Sequence, residues 1–480
     1  MLIYKLKNIG KYMKIFLKYL LWLFTICILI IFYLFFTELG RKSLGFMLGE
    51  YLSKKTYNKI VVSNFNFNTY PQLILDVKVN NRATVHLEGV VNSYEVDMTY
   101  HLQGEKYYWS NFHIDSPVDV KGKIKGLASN LVVEGKGIAF DGNISYRFLR
   151  IPKNFKDIDI LLTNAKSKEV LKFLKQKSLI KGRLNINSHF NLFSKYRRDG
   201  VAKITMNRAF IPYIAPYVPF KLQSMIAFKN MVYNIRGQID SDIGSLHVED
   251  GHYHKIRKEG ELKYVLHLTE LSYFDEILKR RYTGSLDSNG SLVYRDKKIR
   301  VEGITDKFDG QLNYLYNKDT LTLKLKKVSL EKMLKQLNYP TLLTAKVDGK
   351  VDYNLKDKII LIDTKLKEAR FKRTKMTDMV LRVAKIDMLS DVYNDSSFFA
   401  GYQNEQLTAI LKISNRVNHI YLNNAVLNSK KNSIDSDFEL KINGQELFGT
   451  ITGSLKHPSV SVDMRRLIRY QIEKKIDSFF

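Results

Sequence analysis

The spacing of hydrophobic and polar residues changes twice along the chain, and each change predicts a different element. Residues 19–36 form an uncharged apolar run, about long enough to cross a bilayer core of roughly 30 Å. Residues 42–59 then place apolar side chains at helical spacing. From Ile60 onwards the period falls to two, which is typical of strands with one apolar and one polar face.

The alternation is clearest in three stretches, residues 320–328, 347–355 and 447–455. In a strand with a strict period of two, all the apolar residues lie on the same face. We therefore predict that the apolar positions of these strands line a common apolar interior. The predicted positions are Leu321, Leu323, Leu325, Val347, Val351, Tyr353, Leu355, Leu447, Ile451 and Leu455.

One seven-residue motif, which we call the repeated phrase, occurs twice and is followed by similar predicted elements each time. Residues 140–146 (FDGNISY) reappear as residues 308–314 (FDGQLNY), and each copy leads into a short leucine-rich helical stretch before strand spacing returns. A third, weaker copy begins at Asp250-Gly251. Such repetition predicts a stacked array in which each unit buries its apolar face against its neighbours. The repetition therefore predicts an elongated surface and not a single catalytic pocket.

The dipeptides Asp-Gly and Asn-Gly are strong signals for tight hairpin turns. We predict a turn at five of these dipeptides, each between alternating stretches. They lie at residues 141–142, 250–251, 289–290, 309–310 and 443–444.

The end of the chain predicts an amphipathic helix. Asp463 is a suitable N-cap, and the residues after it carry an apolar stripe beside several arginines and lysines. The stripe consists of Met464, Leu467, Ile468, Ile472, Ile476 and Phe479. A basic amphipathic helix of this kind lies on an anionic membrane or against a partner. The alternative is that it closes the last strand of the sheet.

Charge determines which partners the chain meets. The 480 residues carry a formal net charge of +29, which favours anionic partners such as phospholipid. Residues 1–18 contain five lysines and no acidic residue, so the positive-inside rule predicts a cytoplasmic N-terminus. A cleaved signal peptide is the alternative, but no A-x-A-like site follows the apolar run. An exported chain rarely meets nucleic acid, and none is expected as a partner.

Known catalytic and metal-binding motifs are absent from the sequence. It has no G-x-S-x-G, no Walker A loop, no H-E-x-x-H and only one cysteine, Cys27. One cluster of histidines is a candidate metal site. A turn at residues 250–251 would bring His247 opposite His252 and His254, and three imidazoles can hold zinc. Ordinary hairpin residues are the simpler interpretation. We expect no enzyme activity, no metal and no cofactor.

The C-terminal pattern resembles that of the AsmA-like proteins of Gram-negative envelopes, the family that includes TamB and YhdP. Gly449, Ile451, Gly453, Leu455 and Pro458 follow one another as in the family's closing G-T-L-x-x-P-x-V run, although Ser454 stands where the family has Thr. The resemblance implies a mostly β fold: a long, curled antiparallel sheet with an apolar groove, of the repeating β-groove class that transfers lipid.

Together these observations predict a single-pass protein of the bacterial inner membrane with most of the chain in the periplasm. Its groove is expected to carry phospholipid between the inner and outer membranes and so support outer-membrane integrity. The alternative is an assembly factor that meets an outer-membrane or secreted protein, or the outer membrane itself, through the C-terminus. The predicted segments are a basic N-terminus (1–18), a transmembrane helix (19–37), a juxtamembrane helix (38–59), a β-groove domain with short helices between repeats (60–462) and the C-terminal helix (463–480). The juxtamembrane helix either lies on the membrane or covers the near end of the sheet.

Overall fold

Much of the predicted anchor and much of the predicted C-terminal helix lie outside the residues that the structure describes. Among the described residues, no helix combines the length and the apolar character needed to span a membrane. The computed structural model of the protein describes residues 23, 26, 29–30, 32–34, 37–67, 71–92, 94–109, 112–212, 215–275, 281–339, 341–373, 377–378, 381–382, 387–428, 430–442, 445–454, 457–465, 468–469 and 472.

The protein is mostly β, as the alternating pattern predicts. Within the described part of the chain, 26 strands belong to an antiparallel sheet that is not closed, and helices are few. The chain divides into two compact units, Met1–Met231 and Val232–Phe480.

In the first unit, the strands of the sheet follow one another as an antiparallel meander. Each pairs with the next in the order β1-β2-β3-β4-β7-β8-β9-β10-β11-β12-β13, while β5 and β6 form a small hairpin of their own. The elements are α1 (Glu38–Thr56), β1 (Ile60–Asn66), β2 (Gln72–Val79), β3 (Ala83–Val91), β4 (Val96–Gly104), β5 (Tyr107–Trp109), β6 (Phe112–Ile114), β7 (Val118–Leu127), β8 (Asn130–Ala139), β9 (Gly142–Ile151), β10 (Asn154–Lys166), α2 (Ser167–Phe173), β11 (Lys181–Phe193), β12 (Arg198–Ile211) and β13 (Ala215–Asn230).

The second unit has the same meander, and each strand from β14 to β28 pairs with the next. A 3₁₀ turn (Leu271–Phe274) lies between β16 and β17. The other elements are β14 (Val232–Ser241), β15 (Gly244–His254), β16 (Glu259–Leu268), β17 (Leu286–Arg295), β18 (Lys298–Thr305), β19 (Gln311–Asn317), β20 (Thr320–Ser329), α3 (Leu330–Gln336), β21 (Leu343–Asn354), β22 (Ile359–Phe371), β23 (Ser396–Gln403), β24 (Gln406–Ser414), β25 (His419–Asn428), β26 (Ser433–Ile442), β27 (Gln445–Ser454) and β28 (His457–Val462).

The strands have two chemically different faces, as β7 shows most clearly. Val120 and Ile124 lie on one side of β7, and Lys121 and Lys123 lie on the other, because successive side chains of a strand point in opposite directions. Register carries each face across the sheet, so that Ile124 lies opposite Val133 of β8. We name the two sides of each unit the apolar face and the charged face.

The repeated phrase marks two copies of one arrangement, β7–β12 with α2 and β17–β22 with α3. In each copy the turn residue of the Asp-Gly pair is left-handed, at φ 61° for Asp141 and 54° for Asp309. In each copy, the residue just before the short helix donates a backbone hydrogen bond to the residue just before the Asp-Gly pair. The N–H of Lys166 donates to the carbonyl of Phe140 at 2.9 Å, and the N–H of Ser329 donates to that of Phe308 at 2.7 Å.

The two copies also share a β-bulge, which lies at the same place in β10 and in β20. Asn164 and Lys327 both have positive φ, and their N–H groups donate to a side chain of the following strand. The acceptors are Asn185 Oδ1 at 2.8 Å and Asp348 Oδ1 at 2.7 Å. The extra residue lets the strand turn towards the short helix.

The short helices close the apolar face at one margin of each unit. Phe140 and Val170 are buried beside α2, where the rings of Phe140 and Phe173 meet edge to face at 5.2 Å. At the equivalent margin of the second unit, Phe308 and Val328 are buried, and Leu330 and Met333 of α3 pack against that cluster. Away from these margins, most apolar side chains stay half-buried.

The predicted juxtamembrane helix is α1, and the structure places it against β1. A Cβ on Gly49 would lie 3.1 Å from the carbonyl oxygen of Ile60, so glycine allows the helix to pack closely. Ser53 Oγ also accepts a hydrogen bond from the N–H of Ile60 at 2.8 Å. Thr37 caps the start of the helix by accepting from the N–H of Gly40 at 3.0 Å.

Two of the five predicted hairpin turns were wrong. Turns occur at residues 141–142 and 309–310, whereas residues 250–251 lie inside β15 and residues 289–290 lie inside β17. Residues 443–444 fall outside the described residues. Because β15 continues through Asp250, no third copy of the repeat begins there. Gly290 marks a close approach within the sheet rather than a turn.

Candidate functional site

The first unit has an open apolar cleft on its apolar face, with a volume of about 480 Å³. This size lies within the range of about 300–1,000 Å³ that is usual for ligand sites. Most of its side chains are only half-buried, which distinguishes the cleft from a closed core. It is lined by Val85, Leu87, Tyr100, Leu102, Ile124, Val133, Ile144, Tyr146, Phe148 and Ile160.

Two tyrosines and two glycines cross the floor of this cleft over four strands. In register, Tyr100 lies opposite Gly122, Gly122 opposite Gly135, and Gly135 opposite Tyr146. The two hydroxyl groups meet at 2.5 Å, and Tyr100 Oη also donates to the carbonyl of Glu134 at 3.1 Å. A Cβ on Gly135 would lie 2.3 Å from Tyr100 Oη. We name these four residues the first tyrosine bridge.

The second unit has an equivalent bridge, formed by Tyr264, Gly290, Gly303 and Tyr314 on β16–β19. The hydroxyl groups of Tyr264 and Tyr314 meet at 2.7 Å, and Ser288 Oγ lies 2.7 Å from Tyr314 Oη. Burial raises the pKa of both Tyr100 and Tyr264 above the ordinary value for tyrosine. The hydroxyl groups of Tyr100 and Tyr264 therefore stay protonated and act as neutral hydrogen-bonding groups at neutral pH.

Six of the predicted interior positions lie on β20 and β21 and share one face. The register sets Leu321 opposite Tyr353, and Leu323 opposite both Tyr314 and Val351. Leu325 and Val347 are buried in the core cluster near α3, and Val351 packs against it. Leu321, Leu323 and Tyr353 are half-buried further from that margin. The structure thus brings these six positions together on one face. That face is buried at the end near α3 and only half-buried at the other end.

The remaining interior positions have different surroundings. Leu447 is buried in the same cluster, and Ile451 packs against it. Leu355 lies in the turn after β21 and is 41% exposed, so it does not line the interior, because the strand ends at Asn354. Leu455 falls outside the described residues.

The predicted C-terminal stripe is only partly described. Met464, Ile468 and Ile472 are helical and about half exposed. Leu467, Ile476 and Phe479 lie outside the described residues.

A larger depression of about 890 Å³ lies in the same strands of the first unit, lined mainly by the charged face. It includes Lys121, Lys123, Lys136 and Arg147, none of which forms an ion pair with another residue in the described part of the chain. Such a surface favours anions. The depression shares Tyr100, Tyr146 and Ile160 with the apolar cleft, while its lysines and arginine lie on the charged face.

The three histidines that were weighed as zinc ligands all lie on one strand, β15. Since residues 250–251 make no turn, His247 does not fold back towards His252 and His254. No group of three potential metal ligands occurs among the described residues.

Neither family models, curated proteins nor solved structures match this chain. The resemblance to AsmA-like proteins therefore stays a prediction.

The prediction from sequence omitted the entire cleft of the first unit. One signal for it was available, because both copies of the repeated phrase end in the bridging tyrosine, Tyr146 or Tyr314. Of the glycines that lie beneath the rings, those at residues 122, 135 and 290 have a charged or polar residue on each side, and Gly303 lies between Glu302 and Ile304. Only the register of the strands reveals that tyrosines and glycines meet.

Proposed function

We propose that the apolar face of each unit binds the acyl chains of phospholipid. The observation that carries this proposal is the cleft of the first unit, whose aliphatic and aromatic side chains are half-buried rather than enclosed in a core. The second unit has the same arrangement, with Leu292, Val301, Tyr316 and Leu323 at the equivalent positions. An exposed apolar surface of this kind is generally a site of interaction.

The energetics of such a surface suit a carrier. Burying one methylene group contributes roughly 0.8 kcal/mol, so an acyl chain gains substantial free energy from contact along the cleft. The interaction has little directionality, and a chain can slide between equivalent positions. A shape-specific pocket would hold its ligand in one place.

At the level of the cell, we propose that the chain is anchored in the bacterial inner membrane and carries phospholipid between the inner and outer membranes along a long, curled groove. The net charge of +29 and the apolar run at residues 19–36 support this proposal, as does the resemblance of the C-terminus to AsmA-like proteins. In this function the protein acts without catalysis and without a cofactor.

The test compares two adjacent residues on opposite faces of β10. Ile160 lines the apolar cleft, whereas Leu161 is 46% exposed on the charged face. Ile160→Asp places a carboxylate among acyl chains, where it lacks a polar partner. We expect the lipid that co-purifies with the protein, measured by mass spectrometry, to fall with Ile160→Asp and to stay unchanged with Leu161→Asp. Equal lipid in both variants, or none in the unmodified protein, would refute the proposal.

Assembly of outer-membrane or secreted proteins is the second candidate, and one observation favours it. The apolar side chains of Met464, Ile468 and Ile472 are half exposed on a helix that also carries Arg465 and Arg469. If this helix binds a partner protein, replacing the three apolar residues with serine should lower outer-membrane protein assembly while lipid capture stays normal. Under lipid transfer, Ile160→Asp has the larger effect on the outer membrane.

A further inference from the structure

The hydroxyl groups of the second tyrosine bridge form a triad with one hydrogen to spare. Tyr264, Tyr314 and Ser288 each supply one O–H, and two hydrogen bonds join them through Tyr314 Oη. Two bonds use two hydrogens. The third is therefore available to an acceptor outside the triad. Ser288 is 4% exposed, whereas both tyrosines are half-buried, so a tyrosine hydroxyl group is the one that reaches a ligand.

The first bridge differs in this respect, although its rings have the same placement. Its two hydroxyl hydrogens are both used, one between Tyr146 and Tyr100 and one from Tyr100 to the carbonyl of Glu134. Val120 occupies the position equivalent to Ser288, since it lies opposite Leu102 just as Ser288 lies opposite Leu266. The two units are thus a natural comparison, because the second bridge has a spare donor and the first has none.

We propose that the triad donates a hydrogen bond to the carbonyl oxygen of an ester-linked acyl chain. This inference rests on the proposed lipid-binding function. The surroundings are apolar, with Leu266 opposite Ser288 and Leu323 opposite Tyr314. A lipid chain beside the triad therefore brings a carbonyl acceptor only if it is ester-linked, because an ether linkage offers only a weaker acceptor oxygen. A donor in such surroundings gains from any acceptor that enters with the chain. The second unit thereby distinguishes ester-linked from ether-linked lipids.

The experiment places a photo-crosslinking amino acid at Leu323 in one full-length protein and at Ile160 in another. These positions are equivalent, since each lies opposite the second tyrosine of its bridge. The probes are diacyl and dialkyl phosphatidylethanolamine with the same chain length, offered in vesicles. We expect about three- to tenfold more capture of the ester lipid than of the ether lipid at Leu323. At Ile160 the two lipids should be captured equally.

A pair of double variants identifies the donor. Tyr264→Phe with Tyr314→Phe keeps both rings over the glycines and removes both reachable hydroxyl groups, so the preference at Leu323 should disappear. Tyr100→Phe with Tyr146→Phe is the matched control and should leave that preference intact. Equal capture of the two lipids at Leu323 in the unmodified protein, or a preference that survives the first double variant, would overturn the inference alone. Absence of capture at both positions would overturn the lipid-binding function as well.

Discussion

Glycines beneath the bridging tyrosines set the local shape of the sheet. A Cβ on Gly303 would lie 2.4 Å from Tyr314 Oη and 2.5 Å from the adjoining ring carbon, closer than atoms can approach. The ring therefore lies flat over a position that has no side chain. This contact explains why a glycine stands in the middle of a strand, where it otherwise weakens pairing.

Replacing Gly303 with alanine should lower the free energy of unfolding by about 1–3 kcal/mol, because the ring of Tyr314 must move. Gly401 of β23 is the matched control, since its nearest neighbours would lie 3.6 and 3.8 Å from a Cβ. Gly401→Ala should be neutral or slightly stabilising. Urea unfolding of both variants provides the measurement. A Gly303→Ala protein as stable as the control would show that the ring does not depend on the glycine.

Histidine–aspartate pairs on the charged face make stability depend on pH. The hydrogen bond that His86 donates to Asp76 raises the pKa of His86, and the one that His189 donates to Asp159 raises the pKa of His189. Their Nδ1–Oδ1 distances are 2.6 and 2.7 Å. A histidine with a raised pKa in the folded state stabilises the protein below its unfolded pKa of about 6.5, and this contribution is lost as pH rises through the folded value.

We therefore expect the urea midpoint to fall slightly as the pH rises above about 6.5, and we expect a smaller fall in the protein with His86→Gln and His189→Gln. The effect should be small because both pairs are largely exposed to solvent. NMR titration of the two rings checks the cause directly. Midpoints with the same pH dependence in both proteins would contradict this assignment.

At the scale of elements, the bulges that precede the short helices depend on single side chains. Asp348 accepts from the N–H of Lys327 at 2.7 Å and pairs with Lys367 at 2.9 Å. Lys367 and then this N–H hold the pKa of the Asp348 carboxyl group below its ordinary value. The stabilisation that it provides is therefore present at neutral pH and is lost as pH falls through the folded pKa.

Asp348→Ala should lower the free energy of unfolding by about 1–3 kcal/mol, because the N–H of Lys327 loses its acceptor. Asp306→Ala, in the exposed loop after β18, should change it by less than about 0.5 kcal/mol. Urea unfolding at pH 7 measures both. Asp348→Asn is informative as well, since it restores the side chain that the first unit has at Asn185 and should recover most of the loss.

Strands could be predicted from the period of two alone. The sequence could not, however, distinguish an Asp-Gly or Asn-Gly pair at a turn from one inside a strand. Asp309-Gly310 and Asn289-Gly290 look alike in the sequence, yet only the first is a turn. Gly290 is instead required because Tyr264 Oη would lie 2.6 Å from its Cβ. That requirement comes from a residue on another strand, and only the register reveals it. The helical stretches could be predicted because each keeps its own apolar spacing.

At the scale of the whole molecule, the sequence predicted the fold class and the duplicated phrase but did not mark the boundary at Met231–Val232. No Ser-, Gly- or Pro-rich linker lies there, because the chain passes from one unit to the next through a short turn between β13 and β14. The site was predicted only in part for a related reason. Clear alternation in the second unit drew attention to Leu323 and Val351. The equivalent positions of the first unit are Ile160, which stands in a run of three apolar residues, and Ser188, which is polar.

Because each unit has its own tyrosine bridge and its own open apolar surface, the two sites should bind lipid independently at equilibrium. The last prediction uses a photo-crosslinking amino acid at Val133 or at the equivalent Val301, which lie opposite Phe148 and Tyr316. Ile160→Asp should lower lipid capture at Val133 at least fivefold and leave capture at Val301 within twofold, since a carboxylate excludes hydrocarbon only from its own surroundings. Leu323→Asp should have the converse effect, so each variant serves as the control for the other. If either substitution abolished capture at both positions while the protein stayed folded, acyl chains would have to occupy the two units as one site, and independent binding would be refuted.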